Sequence, residues 1–235
     1  TVNAAGISPG NSFTILSGTS ITGTFNGLPS TGSTITVGSQ MFSVTYGANS
    51  VALSLVASAT LVGSPVLNSG NAYINSSLAT HQHSMVESVV YSFSSAVSLS
   101  ASNFTLSGFQ GTPPSQVPNV NVSGSGSVWT VTFSGNGVNA GTHSIGDGEY
   151  QLVLSGVPGL ASNTYDFFRL LGDMDGNGTV NTSDFATLIS TFLRATNDPL
   201  YLGADDFDGD QTIGTTDFAQ FTQNFLKSVP TPLPN

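Results

Sequence analysis

The chain has 235 residues, no cysteine, three basic residues and a formal net charge of −10. No disulfide framework is available, and no basic patch exists to neutralise a nucleic-acid backbone. No apolar run reaches the ~20 residues of a membrane-spanning helix, so no transmembrane segment is expected.

The charge is unevenly placed. Arg169, Arg194, Lys227 and ten of the thirteen acids lie after residue 165, and residues 1–165 carry only Glu87, Asp147 and Glu149. Ser, Thr, Asn and Gly supply the polarity that charged side chains usually give a surface. Such a surface does not repel copies of itself, which suits either a secreted domain or a self-associating extracellular material. The chain starts at Thr1 without Met and reads as a processed or excised part of a longer protein.

From residue 12 to 58, Phe13 and Ile15, Ile35 and Val37, Phe42, Val44 and Tyr46, and Val51, Leu53 and Leu55 alternate with small or polar residues. That period predicts half-buried strands, separated by turns at 27–29 and 47–49. Residues 60–84 read as a connector with one strand at 72–75. A second β block spans about 85–168, with strands around Val89-Tyr91-Phe93, Phe104-Leu106, Val120-Val122, Trp129-Val131-Phe133 and Tyr150-Leu152-Leu154. Strands at this spacing predict an antiparallel β-sandwich of immunoglobulin-like architecture. Trp129, in register with Val131 and Phe133, reads as a core anchor rather than a sugar platform.

From residue 172 the texture changes to loop, helix, linker, loop, helix. Phe185, Leu188, Ile189, Phe192 and Leu193 form one helical stripe, and Phe218, Phe221, Phe225 and Leu226 form another. Before each stripe lies an acidic twelve-residue loop, 173–184 and 206–217, and the two repeats share ten identities over 21 aligned residues. Oxygen-bearing side chains at loop positions 1, 3, 5 and 12 suit a hard cation of Ca2+ size, which takes six to eight oxygens. The first loop offers Asp173, Asp175, Asn177, the Thr179 carbonyl, Asn181 directly or through water, and Asp184. The second offers Asp206, Asp208, Asp210, the Thr212 carbonyl and Asp217, with water at Gly214. Position 6 must turn sharply. Gly178 does so freely, whereas Gln211 would pay ~1–2 kcal/mol for a left-handed conformation. Two Ca2+ sites are expected.

Other constellations are weaker. His81-Gln82-His83 offers two imidazoles on a strand without a third ligand. His143 with Asp147 lacks a nucleophile elbow. Glu87 and Glu149 could be paired as glycosidase carboxylates but stand without a polar constellation. Asn75, Asn103 and Asn121 begin Asn-x-Ser/Thr sequons.

Two stretches resemble known families. Gly-Thr-Phe-Asn-Gly-Leu-Pro at 23–29, with Phe-Ser-Val-Thr-Tyr at 42–46 and Val-Ala-Leu-Ser-Leu at 51–55, resembles the end of β-rich repeats in large bacterial surface and autotransporter-type proteins. Residues 172–228 resemble a dockerin: paired calcium-loop–helix units, Asp closing each loop, and no entering helix. That resemblance implies calcium and, in cellulosomal dockerins, a cohesin partner contacted through hydroxyl pairs that correspond here to Thr182-Ser183 and Thr215-Thr216. The order of parts is similar to the C-terminus of large planctomycete-type secreted proteins.

The expected organisation is a β-strand repeat region at 1–62, the sandwich at 63–170, a small α-helical dockerin-like domain at 171–228 and a Pro-rich tail at 229–235. The expected function is non-enzymatic and extracellular: self-assembly into a surface layer, matrix or fibre with other copies of itself. The alternatives are docking to a cohesin-like protein and carbohydrate binding.

Overall fold

The computed structural model describes residues 10–37, 40–56, 58–69, 82–109, 113–157 and 159–229. The strand expected at 72–75, His81, Asn75 and the tail from Pro230 lie outside the described residues. The architecture is mainly β, with antiparallel sheets followed by two C-terminal helices.

Strands β1 (Ser12–Ser17), β2 (Thr34–Val37), β3 (Gln40–Tyr46) and β4 (Ser50–Leu55) form one antiparallel sheet in the order β1-β4-β3-β2. Its small core is Leu28, Val44 and Val51, with Ile21, Tyr46 and Leu53 packed around them. Alternation placed these strands well but overstated their burial at the rim. Edge strand β1 is exposed along its length, with Phe13 37%, Ile15 43% and Leu16 44% exposed. Among the described residues it pairs only with β4, and the small core lies against the middle of the sheet.

The second β region runs from β5 (Val66–Leu67) and β6 (Ser88–Ser92) through β7 (Phe104–Gly108), β8 (Asn119–Ser125), β9 (Val128–Ser134) and β10 (Gly148–Leu154) to β11 (Asn163–Arg169). It builds two antiparallel sheets, β5-β6-β9-β8 and β11-β10-β7. Both sheets contribute to one core: Val89, Tyr91, Val131 and Phe133 from the first, Phe104, Tyr150, Leu152, Leu154 and Phe167 from the second. Alternation in β6, β9 and β10 matches this facing. The presumed connector at 60–84 contains β5, a strand of two residues that no periodicity can reveal, and a buried brace: Asn68 Nδ2 donates to the Met85 carbonyl, 2.7 Å, and Asn68 Oδ1 accepts from Glu87 N, 2.9 Å. Trp129 is half-buried at the rim of the core, its Nε1 donating to the Gly126 carbonyl, 3.2 Å.

Strand β11 hands the chain from one core to the next. Successive residues of a strand point to opposite faces, so Phe167 enters the two-sheet core while Phe168 enters the core of the C-terminal helices. Those helices are α1 (Thr182–Thr191) and α2 (Thr215–Asn224). Both are shorter than their apolar stripes suggest. The backbone turns left-handed at Leu193 (φ 62°) and Leu226 (φ 67°), and these leucines are 78% and 74% exposed instead of buried. The turns serve hydrogen bonding: Leu193 N donates to the Ile213 carbonyl and Leu226 N to the Val180 carbonyl, both 2.8 Å.

The junction between the β region and the helices is polar and closed. Asp147 Oδ1 accepts from Arg169 Nη1, 2.6 Å, and from Leu171 N, 2.7 Å, while its Oδ2 accepts from Asn224 Nδ2, 2.8 Å. The Arg169 side chain is 9% exposed and that of Asp147 38%. Asp147→Ala strands a buried guanidinium, and fully buried pairs lose ~3–5 kcal/mol when one partner goes. The partial exposure of Asp147 lowers the expectation to about 2–3 kcal/mol in denaturant unfolding. Asp198→Ala, which breaks the exposed pair with Arg194, should cost far less, because solvent screens an exposed pair. Equal losses would contradict this picture of the junction.

Candidate functional site

Each acidic loop is a backbone nest around its first aspartate. Asp173 Oδ1 accepts from Gly176 N (2.9 Å) and Asn177 N (3.2 Å), and its Oδ2 from Gly178 N, 2.9 Å. Asp206 repeats the pattern with Gly209 N (2.8 Å), Asp210 N (3.2 Å) and Gln211 N, 2.9 Å. At position 6, Gly178 has φ 80° and Gln211 φ 74°, so the left-handed turn is made in both loops and Gln211 bears its cost.

The last residue of each loop both closes it and starts a helix. Asp184 Oδ1 accepts from Met174 N, 2.8 Å, and its Oδ2 from Asn181 N, 2.8 Å. Asp217 does the same with Phe207 N, 2.6 Å, and Gly214 N, 2.7 Å. At the start of a helix, where backbone N–H groups lack partners, a carboxylate at N3 is favoured.

Carboxylate oxygens of Asp173, Asp175 and Asp184 lie within 4.8 Å of one another, as do those of Asp206, Asp208 and Asp210. Asn177 and Thr179 flank the first group, Asn177 Oδ1 accepting from Thr179 N, 2.9 Å. Thr212 flanks the second, its N and Oγ1 both donating to Asp210 Oδ1. Asn181 is engaged as the cap of α1. Its Oδ1 accepts from Ser183 N, 2.8 Å, and its Nδ2 donates to the Thr179 carbonyl, 3.2 Å.

The electrostatics ask for a cation. Asp173, Asp184 and Asp217 are fully buried and Asp206 is 4% exposed. Desolvation raises the Asp173 carboxyl from 3.8 to about 7, against the pull of its backbone donors, and raises Asp184 and Asp217 for the same reason. The chain's three cations are engaged elsewhere: Arg169 on Asp147, Arg194 on Asp198 and Lys227 on Asn224. An all-oxygen, carboxylate-rich donor set with buried members fits a hard divalent ion of Ca2+ size.

Two contributors escaped the sequence reading. Asp205, directly before the second loop, is buried. Its Oδ2 accepts from Thr191 Oγ1, 2.7 Å, and its Oδ1 has no hydrogen-bond partner among the described residues. Burial, with Asp217 and Asp184 nearby, raises it to about 7. The second is Tyr201, whose hydroxyl donates to Asp206 Oδ2, 2.5 Å. The acidic run Asp205-Asp206 was the available signal for the first; nothing in the repeat pattern pointed to Tyr201.

The other constellations have structural uses. The ring of His83 stacks on Phe168, with centroids 4.0 Å apart, and its Nδ1 lies 2.8 Å from the Phe168 carbonyl. Asp147 serves Arg169 and Asn224. Glu149 is buried in β10 opposite Phe168, and burial raises Glu87 to about 7.

Residues 171–226 match the family model of the dockerin type I domain. No curated protein and no solved structure matches the chain. The C-terminal module is therefore dockerin-like, with EF-hand-like loops, in a mainly β chain.

Two outcomes test the loops. A carboxyl with a raised folded pKa holds its proton more tightly when folded, so its stabilisation is complete below about 3.8 and is lost as pH rises through about 7. In chelator, the melting temperature should therefore fall from about pH 5 to about pH 8, and a rise over that range would contradict the desolvated loops. In calcium the fall should shrink to the part owed to Glu87 and Asp205, which are not among the ligands, because the metal takes the deprotonated loop carboxylates. Asp173→Ala should cost about 2–3 kcal/mol in calcium at a hundredfold excess over Kd, and little in chelator. Equal losses in both buffers would remove the metal from the explanation.

Proposed function

We propose that this chain is the docking end of an extracellular protein: a dockerin-like module, ordered by two calcium ions and held on a β support, that engages a cohesin-like partner. The observation that carries this reading is the dockerin type I match over 171–226, together with two carboxylate clusters in loops of the required form. Asp173, Asp175, Asn177, Thr179, Asp184 and a water held by Asn181 would serve the first ion; Asp206, Asp208, Asp210, Thr212 and Asp217 would serve the second. The bound ions would neutralise the buried carboxylates and fix the starts of α1 and α2. Docking fits better than self-assembly into a layer or fibre, because it accounts for the module directly. The proposed contact face includes the exposed hydroxyl pairs Thr182-Ser183 and Thr215-Thr216.

The support at 63–170 is proposed to be an immunoglobulin-like sandwich. Lettered in chain order, its sheets are A-B-E-D and G-F-C, the arrangement of constant-type domains. Tyr150, near the start of β10, donates its hydroxyl to the Gly146 carbonyl, 2.8 Å, in the manner of a tyrosine corner. The origin as the C-terminus of a planctomycete-type surface protein, with residues 1–62 ending an autotransporter-like repeat, belongs to the same proposal. Among the described residues no helix is long and apolar enough to cross a membrane.

Binding to immobilised type I cohesin modules, measured by surface plasmon resonance in calcium and then in chelator, tests the proposal. Calcium-dependent binding is expected, weakened at least tenfold when Ser183→Asp and Thr216→Asp are combined. Large calcium-dependent assemblies of the chain alone, with no cohesin binding, would return the preference to self-assembly.

A further inference from the structure

The second calcium loop has a wall that does not belong to the calcium module. Residues 139–143, between β9 and β10, form a tight turn: Asn139 Oδ1 accepts from Gly141 N (2.8 Å) and Thr142 N (3.1 Å), and His143 N donates to the Asn139 carbonyl, 2.8 Å. His143 takes a left-handed conformation, φ 59°, to complete it. The turn presents Gly141 edge-on to the Asp208-Gly209 peptide, loop positions 3 and 4. A Cβ on Gly141 would fall on the Asp208 carbonyl oxygen, and a Cβ on Gly209 would come within 2.6 Å of the Gly141 carbonyl carbon. Two backbones 68 residues apart thus touch with no room for a side chain on either. Gly209 also needs its φ of 76° for the loop, so it is fixed twice over.

We infer that Gly141 is a positioning residue for the second metal site, and that the β support sets the calcium affinity of that loop. The contact falls between two candidate ligands, Asp208 and Asp210, and beside the Asp206 nest. A second brace comes from the same side: Ser84 Oγ donates to the Ala204 carbonyl, 3.2 Å, two residues ahead of Asp206. Moving the 208–209 peptide would spread the three carboxylates that now converge within 4.8 Å. The first loop is touched differently, by His83 N donating to the Asp173 carbonyl, 2.9 Å, so the effect of Gly141 is confined to one loop. Coupling is reciprocal: calcium in the second loop tightens the junction to the same degree that the junction tightens calcium. The inference rests on the calcium reading above and adds that the module is not an independent bead on a tether.

The test uses the full chain and terbium, a calcium substitute whose emission is sensitised by a nearby tyrosine. Tyr201, bonded to Asp206, reports the second loop, and calorimetry with Ca2+ counts both sites. Gly141→Ala should weaken the Tyr201-sensitised titration at least tenfold and leave the other calcium affinity within about twofold. Asn139→Ala loosens the turn without adding bulk and should give a smaller loss at the same site, which decides the matter if Gly141→Ala folds poorly. A merely structural role would lower the melting temperature of both variants without moving either affinity. Two bound ions with an unchanged second-loop midpoint in the variants would overturn this inference alone. No metal binding by the unsubstituted chain would overturn the calcium reading and this inference with it.

Discussion

The C-terminal quarter of the molecule is organised around carboxylates withdrawn from water, and among the described residues no lysine or arginine pairs with them. Asp173, Asp184, Asp206 and Asp217 are all essentially buried. Backbone N–H groups surround each one and stabilise negative charge, but they do not cancel it. Arg169, Arg194 and Lys227 lie on other partners. On the calcium reading proposed above, a divalent ion in each loop would resolve this, and the same carboxylates would then do three things at once. They would bind metal, while they already shape the loop and, through Asp184 and Asp217, start α1 and α2. Helices of ten residues do not persist in isolation, so α1 and α2 depend on the core they share and on the carboxylates at their starts.

The two halves of the module are also interlocked. Val180, at position 8 of the first loop, exchanges hydrogen bonds with the chain just after α2, through Leu226 N and the Lys227 carbonyl. Ile213, at the same position of the second loop, exchanges them with Leu193 and Arg194 just after α1. Each loop thus clamps the end of the other repeat's helix. Val180 and Ile213 are fully buried in the shared core with Leu188 and Phe221. Strand β11 extends this unit into the β region, because Phe167 and Phe168 point into different cores. Asp147, Ser84 and Gly141 then close the seam from the β side.

Much of this was legible in the sequence where a pattern repeats. The loops announced themselves because Asp173-x-Asp175 and Asp206-x-Asp208 recur at one spacing, and strands β6, β9 and β10 because their apolar residues alternate over several turns of the pleat. Three features left no such trace. Strand β5 has two residues, too few for any period. Leu193 and Leu226 fit the helical stripes, but hydrogen bonding to the opposite repeat turns the backbone left-handed and throws both side chains outward. Gly141 is one of 27 glycines, and only the fold brings it against Asp208. Strand β1 failed differently: its alternation is real, but it sits at the edge of a thin sheet, and alternation reports the shape of a strand rather than what covers it.

Calorimetric titration of the metal-free full chain with Ca2+ tests the paired-loop arrangement most directly. Two ions per chain, with protons released near neutral pH as the raised carboxyls give them up, is the predicted result. Uptake of no ion, or of a single ion shared between the loops, would contradict it.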